Sequence, residues 1–518
     1  MILLNAGESR ELDRLSQEKY GVPSYSLMTR AGESVGDALM RVFPESAAAG
    51  VLAVAGKGNN GGDAMVGARR LHQGGVIVRA VLLGSAADLK GDALRAYNDF
   101  VAAEGHVITA ANEAEFDAIL THPPGAVIDG IFGTGLNSEV RGLPRHAIEK
   151  LNALEIPIVA VDIASGVNSD TGAIMGTAIN ARMTVTFGFA KIGHMSFPGA
   201  GRCGELRIFD IGFAPNAIAE VAPRARFVTL EDVQPQWHPR TMNSHKGMYG
   251  HPMVIAASLG KSGAALLASR GALRMGAGLV TTAIPACVQP VVAAGQAELM
   301  TEPIADRDGH FDGDRAPEAF KSLIAGKDAL VVGPGIGLND DTVRLIEWLI
   351  TEASDPKLPI LIDADGLNAL ARLGCDRLKN ARGPFVLTPH PGEASRLLGV
   401  TTSEINADRV SAARLLSERT GACVLVKGAR SVIAGPGGEL FINSSGNPGM
   451  STPGMGDALS GMVGALLAQG MRPIDALLFG VFVHGFAADR VADRIGRVGY
   501  LAGDLIEELP ATLEALSS

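Results

Sequence analysis

Short apolar runs ending in glycine or aspartate, each followed by a polar loop and then a stretch of helical periodicity, recur along this chain. VLAVAG (51–56) leads through a glycine loop into DAMVGARRLHQGG, which predicts a strand, a loop and a helix. VIVRAVLLG (76–84), AVIDGIF (126–132) and IPIVAVDIA (156–164) predict further buried strands, separated by helical stretches near 88–104, 112–120 and 144–154. Strands alternating with helices predict a parallel sheet covered on both faces. Ahead of it, residues 10–43 predict two helices broken at Gly21-Val22-Pro23, suited to covering a sheet edge or to a dimer contact. The pattern weakens around 212–236, where Pro215, Pro223 and Pro235 are spaced along an irregular stretch, and a second α/β pattern then begins. Its strands are predicted at 251–258, 278–285, 329–335, 359–366, 384–390 and 423–428. With 518 residues and no short-period repeat, the expectation is two unequal α/β domains, residues 1–222 and 227–518.

Composition narrows the function classes. A net charge of −10 without a long basic run gives no reason to expect nucleic acid or an anionic membrane as partner. No apolar run approaches the length of a membrane span, and MILLNAGESREL is too short and too soon acidic for a signal peptide, so a cytoplasmic setting is expected. Cys203, Cys287, Cys375 and Cys423 are far apart and match neither a disulfide framework nor a zinc spacing; buried thiols are expected.

The chemistry sits in glycine loops. In NPGMSTPGMGDALSGMVGALLA (447–468) a glycine-dense loop runs into an apolar helix with Asp457 at the junction. Backbone N–H groups of Gly454, Met455 and Gly456 with the first helical turn would hold a phosphoryl group, while Asp457 takes a proton from the hydroxyl receiving it. A helix N-cap explains the same residues without chemistry. In the N-terminal half, GKGNNGGD (56–63), DGIFGTGL (129–136) and DIASGVNSDTG (162–172) all lie at predicted strand ends, where parallel sheets bind ligands. Asn60, Asp129 and Ser165 offer oxygens suited to a hard monovalent cation, though Asx-turn and cap chemistry accounts for them equally.

LMTRAG, GKGNNGGDAMVGARRL, VIDGIFGTGL, VAVDIASGVNSDTG and TVTFGFAKIG together resemble the NAD(P)HX epimerase domain over about residues 1–220. The resemblance implies a Rossmann-like three-layer domain binding hydrated nicotinamide dinucleotide and potassium. Asn59, Asn60, Gly61, Gly62 and Asp63, then Gly133, Thr134, Gly135, Leu136, Asn137, Ser138 and Glu139, and Asp162 would touch the substrate. Asn60, Asp129 and Ser165 would hold the potassium, and Asp162 would transfer a proton. Downstream, GPGIG (333–337), DADGLN (363–368), TPHPGE (388–393), VKGARS (426–431), HGFAAD (484–489) and the loop before Asp457 resemble the ADP-dependent NAD(P)H-hydrate dehydratase, a ribokinase-like α/β domain, over about 230–515. That resemblance implies Lys427, Gly428, Ala429, Arg430, Ser431 and Gly456 at ADP, and Ala264, Gly335, His390 and Asp457 around the hydrate, with Asp457 catalytic and magnesium on the nucleotide phosphates. A homo-oligomer is expected.

The chain departs from both patterns. Ala64 and Ala164 replace a glycine and a proline of the epimerase. Pro453 replaces a glycine before GxGD, and Ala256, Ala257 and Lys261 stand where two glycines and a tyrosine are usual in the dehydratase. A bifunctional repair enzyme is therefore the leading expectation. The alternatives are a vitamin or small-molecule kinase with an inert N-terminal lobe, and a nucleotide-binding regulatory protein.

Overall fold

The computed structural model describes residues 1–517 and divides the chain into two compact units, Ile2–Ala225 and Arg226 onward. Both are built on the same kind of sheet.

In the N-terminal unit seven parallel strands run in the spatial order His106–Ala110, Val78–Leu83, Val51–Ala55, Ala126–Gly130, Ile158–Val161, Met183–Phe187 and Glu205–Phe209. The order reverses between Val51–Ala55 and Ala126–Gly130, the switch point of a Rossmann-like sheet. Alternate residues face opposite sides: Val51, Ala53 and Ala55 join one core, Leu52 and Val54 the other, giving three layers. The helix Ser24–Val42 lies hard against Asn59–Gln73 because Gly32 has no side chain, since a Cβ there would stand 2.4 Å from the Asp63 carbonyl. A short parallel pair, Ile2–Leu4 with Ala190–Lys191, sits apart from this sheet.

In the C-terminal unit the order is Met300–Ile304, Thr281–Pro285, Pro252–Ile255, Ala329–Val332, Ile360–Ile362, Phe385–Leu387 and Cys423–Val426, all parallel. Val432–Ala434 and Leu440–Asn443 extend it antiparallel. This is the ribokinase-like unit, with its switch point between Pro252–Ile255 and Ala329–Val332. Its central helix, Met455–Ala468, is apolar all round and buried for nearly its whole length. It closes on Ser262–Arg274 at Gly461, where a Cβ would lie 1.7 Å from the Ala268 carbonyl.

Every strand expected from the apolar runs is present, trimmed by one or more residues at its ends. His106–Ala110, Met183–Phe187, Glu205–Phe209, Met300–Ile304 and the antiparallel hairpin are additional. One thiol departs from expectation: Cys287 is exposed, following the strand Thr281–Pro285, while Cys203, Cys375 and Cys423 are buried. No helix among the described residues is long and apolar enough to cross a membrane.

Candidate active sites

In the N-terminal unit the loops leaving the strands around the switch point enclose a cavity of about 1000 Å³. Asn59, Asn60 and Asp63 line it from the first loop, Gly133 to Ser138 from the second and Asp162 from the third. The loops are tied together: Ser169 Oγ donates to the Thr134 carbonyl at 3.1 Å and Asn168 Nδ2 to the Leu136 carbonyl at 3.4 Å. Gly61 and Gly62 are buried beneath the cavity wall, where a Cβ on Gly61 would meet the Gly56 carbonyl at 2.1 Å. Glu139 points away and pairs with exposed Arg141 at 3.0 Å. The helix Asn59–Gln73 has no side-chain cap, which leaves first-turn N–H groups for a ligand. Ala64 is accommodated because Gly130 opposite it lacks a Cβ, which would otherwise sit 2.5 Å from the Ala64 methyl.

The wall of this cavity is electrostatically divided. Asp162, at φ 61°, accepts Lys191 Nζ at 2.5 Å and Thr186 Oγ1 at 2.8 Å. Lys191 also donates to Thr186 Oγ1 and to the Phe189 carbonyl, at 2.8 and 3.1 Å. Burial alone would raise the Asp162 pKa, but the adjacent ammonium outweighs it and holds the carboxyl below its ordinary range. Asp63 and Asp13 move the other way. Burial and then the Asp162 charge push Asp63 well up, and the same two causes bring Asp13 to about 6. His194 is driven down to about 3 by burial and the Lys191 charge, and stays a neutral imidazole.

Asn60, Asp129 and Ser165 come together around Phe132. Asn60 Nδ2 donates to the Phe132 carbonyl at 2.9 Å, Ser165 Oγ contacts that carbonyl at 3.1 Å, and the Phe132 N–H donates to Ser165 Oγ at 2.8 Å. Asp129 is fully buried; it accepts the Ser165 hydroxyl at 2.6 Å and the Ser165 N–H at 2.9 Å. Burial raises its pKa to about 6 against those bonds, and no cationic side chain pairs with it among the described residues. A buried carboxylate amid hydroxyl, amide and carbonyl oxygens, without its own cation, fits a hard monovalent ion.

In the C-terminal unit the helix Met455–Ala468 starts at Gly454, which takes φ 88° and brings no side-chain cap. Asp457 is therefore not the N-cap; it stands in the third helical position, within the uncapped first turn. Lys427 Nζ pairs with buried Asp363 at 2.8 Å, and Ser460 Oγ donates to the other Asp363 oxygen at 2.6 Å. A Cβ on Gly456 would lie 3.2 Å from Lys427 Nζ and 3.7 Å from Asp363, so the ammonium, the carboxylate and the helix start converge. Asp457 is raised to about 7 by burial and then by Asp363, with Lys427 opposing. Glu393 is likewise raised to about 7, chiefly by burial.

The remaining expected residues surround this point. Lys427 to Ser431 form the turn between Cys423–Val426 and Val432–Ala434, held from below by Arg409, which donates to the Ala429 carbonyl at 2.6 Å. His390 caps the helix Pro391–Leu398 through Nδ1, which accepts the Gly392 N–H at 3.0 Å, and it lies close enough to Lys427 to feel its charge. Ala264 and Gly335 face each other at the switch point, where a Cβ on Gly335 would stand 2.9 Å from that of Ala264. Lys261 Nζ bonds Asp365 at 3.0 Å, and Asp365 also accepts the Gly337 N–H at 2.9 Å. Thus the lysine that replaces a tyrosine clasps two loops together. Ala257 adopts φ 72°, a left-handed conformation that favours glycine, and its N–H donates to the Pro334 carbonyl at 2.9 Å.

Lys191, Asp13, Asp363, Glu393 and Ser460 were not singled out by the motifs, although all five lie inside or beside stretches that were. Lys191 carries a signal, a lone charged residue in the apolar run FGFAKIG; Asp13 and Glu393 sit among polar neighbours and carry none.

Residues 24–193 match the family described as the YjeF-related protein N-terminus, and residues 253–511 match the family NAD(P)H-hydrate dehydratase. Across the whole chain there is 38% identity to the bifunctional NAD(P)H-hydrate repair enzyme of Moorella thermoacetica, covering 100% of this chain and 97% of that one. The enzyme of the same description from Coxiella burnetii is 36% identical, over 98% of both chains. Among solved structures, the ADP/ATP-dependent NAD(P)H-hydrate dehydratase of Bacillus subtilis, co-crystallised with ATP and magnesium, is 29% identical with a TM-score of 0.48. It covers 56% of this chain and 98% of its own.

Proposed function

The chain belongs to the family of bifunctional NAD(P)H-hydrate repair enzymes, and from that premise we propose how its two sites divide the work. The N-terminal unit is an isomerase that interconverts the R and S epimers of hydrated NADH and NADPH. The C-terminal unit is a lyase that dehydrates the S epimer with ADP as phosphoryl donor, giving AMP and phosphate. One observation carries the two-site reading. Each unit sets a lysine-held carboxylate, Asp162 with Lys191 or Asp363 with Lys427, beside further carboxyls whose protons are held near neutral pH. Such divergence within one site marks acid–base machinery.

The hydrate carries its hydroxyl on the ring carbon next to nitrogen, and hydroxide leaves poorly. In the C-terminal site Asp457 accepts the hydroxyl proton as the terminal phosphoryl of ADP moves onto the oxygen. The ring nitrogen's lone pair then expels phosphate. The first-turn N–H groups of Met455–Ala468 and Lys427 hold the transferring group, and the turn Lys427 to Ser431 cradles the nucleotide. Magnesium would offset the phosphate charge. Ala264, Gly335 and His390 enclose the hydrate.

In the N-terminal site Asn59 to Asp63 and Gly133 to Ser138 grip the dinucleotide, while Asp162, kept ionised by Lys191, accepts a proton during the inversion. Potassium held by Asn60, Asp129 and Ser165 would supply fixed positive charge beneath the loop Gly133 to Ser138. The reading is tested by mixing the protein with an epimer mixture of hydrated NADH, potassium, magnesium and either ADP or ATP, and following the return of dihydronicotinamide absorbance. Complete recovery is expected with ADP. Recovery that stops once the S epimer is spent would remove the isomerase assignment, and a stable phosphorylated product would point to a kinase.

A further inference from the structure

The cavity of the N-terminal unit contains a group that no motif assigned. Asp13 lies near the end of the helix Ala6–Arg14, outside the sheet and its loops, yet it lines the same cavity as Asp63, Asp162 and Lys191. Three features fix it there. The strand Ile2–Leu4 that precedes the helix pairs in register with Ala190–Lys191, Leu4 against Lys191 itself. A capping box of Asn5 and Glu8 starts the helix, and the Ala6 N–H donates to Asp170 at 2.5 Å, in the loop that begins at Asp162. Leu12, next to Asp13, is buried and belongs to the apolar cluster that anchors the helix.

With such support a surface aspartate would ordinarily be found in a salt bridge or a cap. Asp13 makes no side-chain hydrogen bond or ion pair among the described residues, whereas Arg14 beside it takes both Glu11 and Glu18. The charged groups lining the cavity from other elements are Asp162, Asp63, Lys191, Lys57 and Asp92, and Arg10, Arg14 and Glu18 line it from its own side. A carboxyl left unpaired on a ligand-sized cavity, opposite a carboxylate that is firmly paired, has the placement of a proton donor.

We propose that Asp13 is the general acid of the epimerisation, delivering its proton to the departing hydroxyl while Asp162 serves the return of water. The inference rests on the isomerase reading of this cavity. The Asp13 carboxyl protonates the hydroxyl oxygen as the carbon–oxygen bond breaks, and water leaves with the bonding pair. The ring nitrogen's lone pair forms the carbon–nitrogen double bond, and the resulting cation faces the Asp162 carboxylate. Water adds to the opposite face of that carbon and loses a proton to Asp162. Asp162 passes the proton to the Asp13 carboxylate, which restores both groups. An iminium carbon is electrophilic enough for a weak base, so the ion pair with Lys191 does not disable Asp162. The raised proton affinity of Asp13, from burial and then from Asp162, keeps the acid loaded up to a pH of about 6.

The test uses the full-length protein and follows the epimer ratio of hydrated NADH by chromatography without ADP. Asp13→Asn should lower epimerisation turnover about 100-fold or more. The Michaelis constant should stay within a few-fold, and ADP-dependent dehydration of the S epimer should be unchanged. Asp13→Glu should restore part of the rate, which a purely structural role would not predict for a longer side chain. Wild-type turnover should fall above pH about 6, and that limb should vanish in Asp13→Asn. Epimerisation in oxygen-18 water should place one solvent oxygen on the ring per inversion. Epimerisation by Asp13→Asn within about threefold of wild type would overturn the proposal and leave the isomerase reading standing, as would a wild-type profile flat from pH 5 to 8. A wild-type protein that does not epimerise at all would overturn both.

Discussion

On the mechanisms proposed above, the two units solve one chemical problem, the departure of a poor leaving group from a carbon next to nitrogen, on sheets that reverse their strand order in the same way. They differ in what surrounds the lysine-held carboxylate. In the C-terminal site Asp363 and Lys427 lie against an uncapped helix start that is glycine-rich and aimed at the same point, so a phosphoryl group has donors waiting. In the N-terminal site Asp162 and Lys191 are joined by Asp13 and Asp63, two carboxyls whose proton affinity is raised by burial and then by the Asp162 charge, while Arg10, Arg14 and Lys57 line the same cavity. The lesson is electrostatic. In both places burial, and then the carboxylate of the pair, raises the neighbours' proton affinity against the opposing lysine. Both sites also have an uncapped helix start, and the difference is that Lys427 converges with it at Gly456 whereas Lys191 is grouped with Asp162, Asp63 and Asp13.

The comparison breaks most visibly under charge-removing substitutions that keep shape. Asp457→Asn should lower dehydration by about 10²–10⁴-fold with epimerisation intact, and Asp162→Asn should do the reverse. Loss of both activities in either variant, with folding preserved by circular dichroism, would show that the two sites are not separate.

Opposed pH profiles are the next largest effect expected. In the proposed mechanism Asp457 works as a base, so its active form is ionised. With a folded pKa raised to about 7, dehydration should rise with pH up to about 7 and then level. If Asp13 is the acid proposed above, with a pKa raised to about 6, epimerisation depends on its protonated form and should fall over the same interval. Below pH 7 each unit of pH should move the dehydration rate toward tenfold. Parallel profiles for the two activities would sink the assignment of opposite roles.

Asp129 sharpens the comparison from the cation side, because it is fully buried with no cationic partner among the described residues. Its folded pKa of about 6 lies above the ordinary value, so ionising it costs stability as pH rises from about 4 to 6. A bound potassium ion would offset that cost. Potassium in place of tetramethylammonium should therefore raise the melting temperature of the wild-type N-terminal unit at pH 7, and should leave Asp129→Asn unmoved. Equal responses would remove Asp129 from the ion's ligands.

Much of this was legible in the sequence, and what was missed has physical causes. Apolar runs ending in Gly or Asp marked the central strands, since a strand buried on both faces is apolar throughout. Glu205–Phe209 and His106–Ala110 escaped because they are edge strands with exposed residues and no such run. The three loops of the first site and the Asp457 loop were visible as glycine-rich junctions. The pairings within them were not, because pairing at a distance leaves no periodicity: Lys191 meets Asp162 across 29 residues, Lys427 meets Asp363 across 64, and Ser460 meets Asp363 across 97. Nor could the sequence say that Ala257 would keep a glycine's left-handed conformation. That backbone is imposed by the loop's neighbours at the cost of local strain.

The smallest effect is expected at the most conspicuous departure. Pro453 stands where the dehydratase pattern has glycine, which suggests a lost phosphate donor. The structure gives a different account. Pro453 is exposed, and the sharp turn into the helix is made by the next residue, Gly454, whose φ of 88° disfavours any side chain, a Cβ there also displacing the Leu267 methyl at 2.4 Å. The N–H groups that converge with Lys427 belong to the first turn of Met455–Ala468, beyond the proline. Proline also removes freedom from the unfolded chain, so Pro453→Gly should cost about 0.4–1 kcal/mol of stability, read as a slightly lower melting temperature of the C-terminal unit. Dehydration should change less than about threefold, because no donor in that turn is restored or lost. A tenfold gain would place the missing amide of residue 453 at the phosphate after all, and would make the anion site of the C-terminal unit wider than the helix start alone.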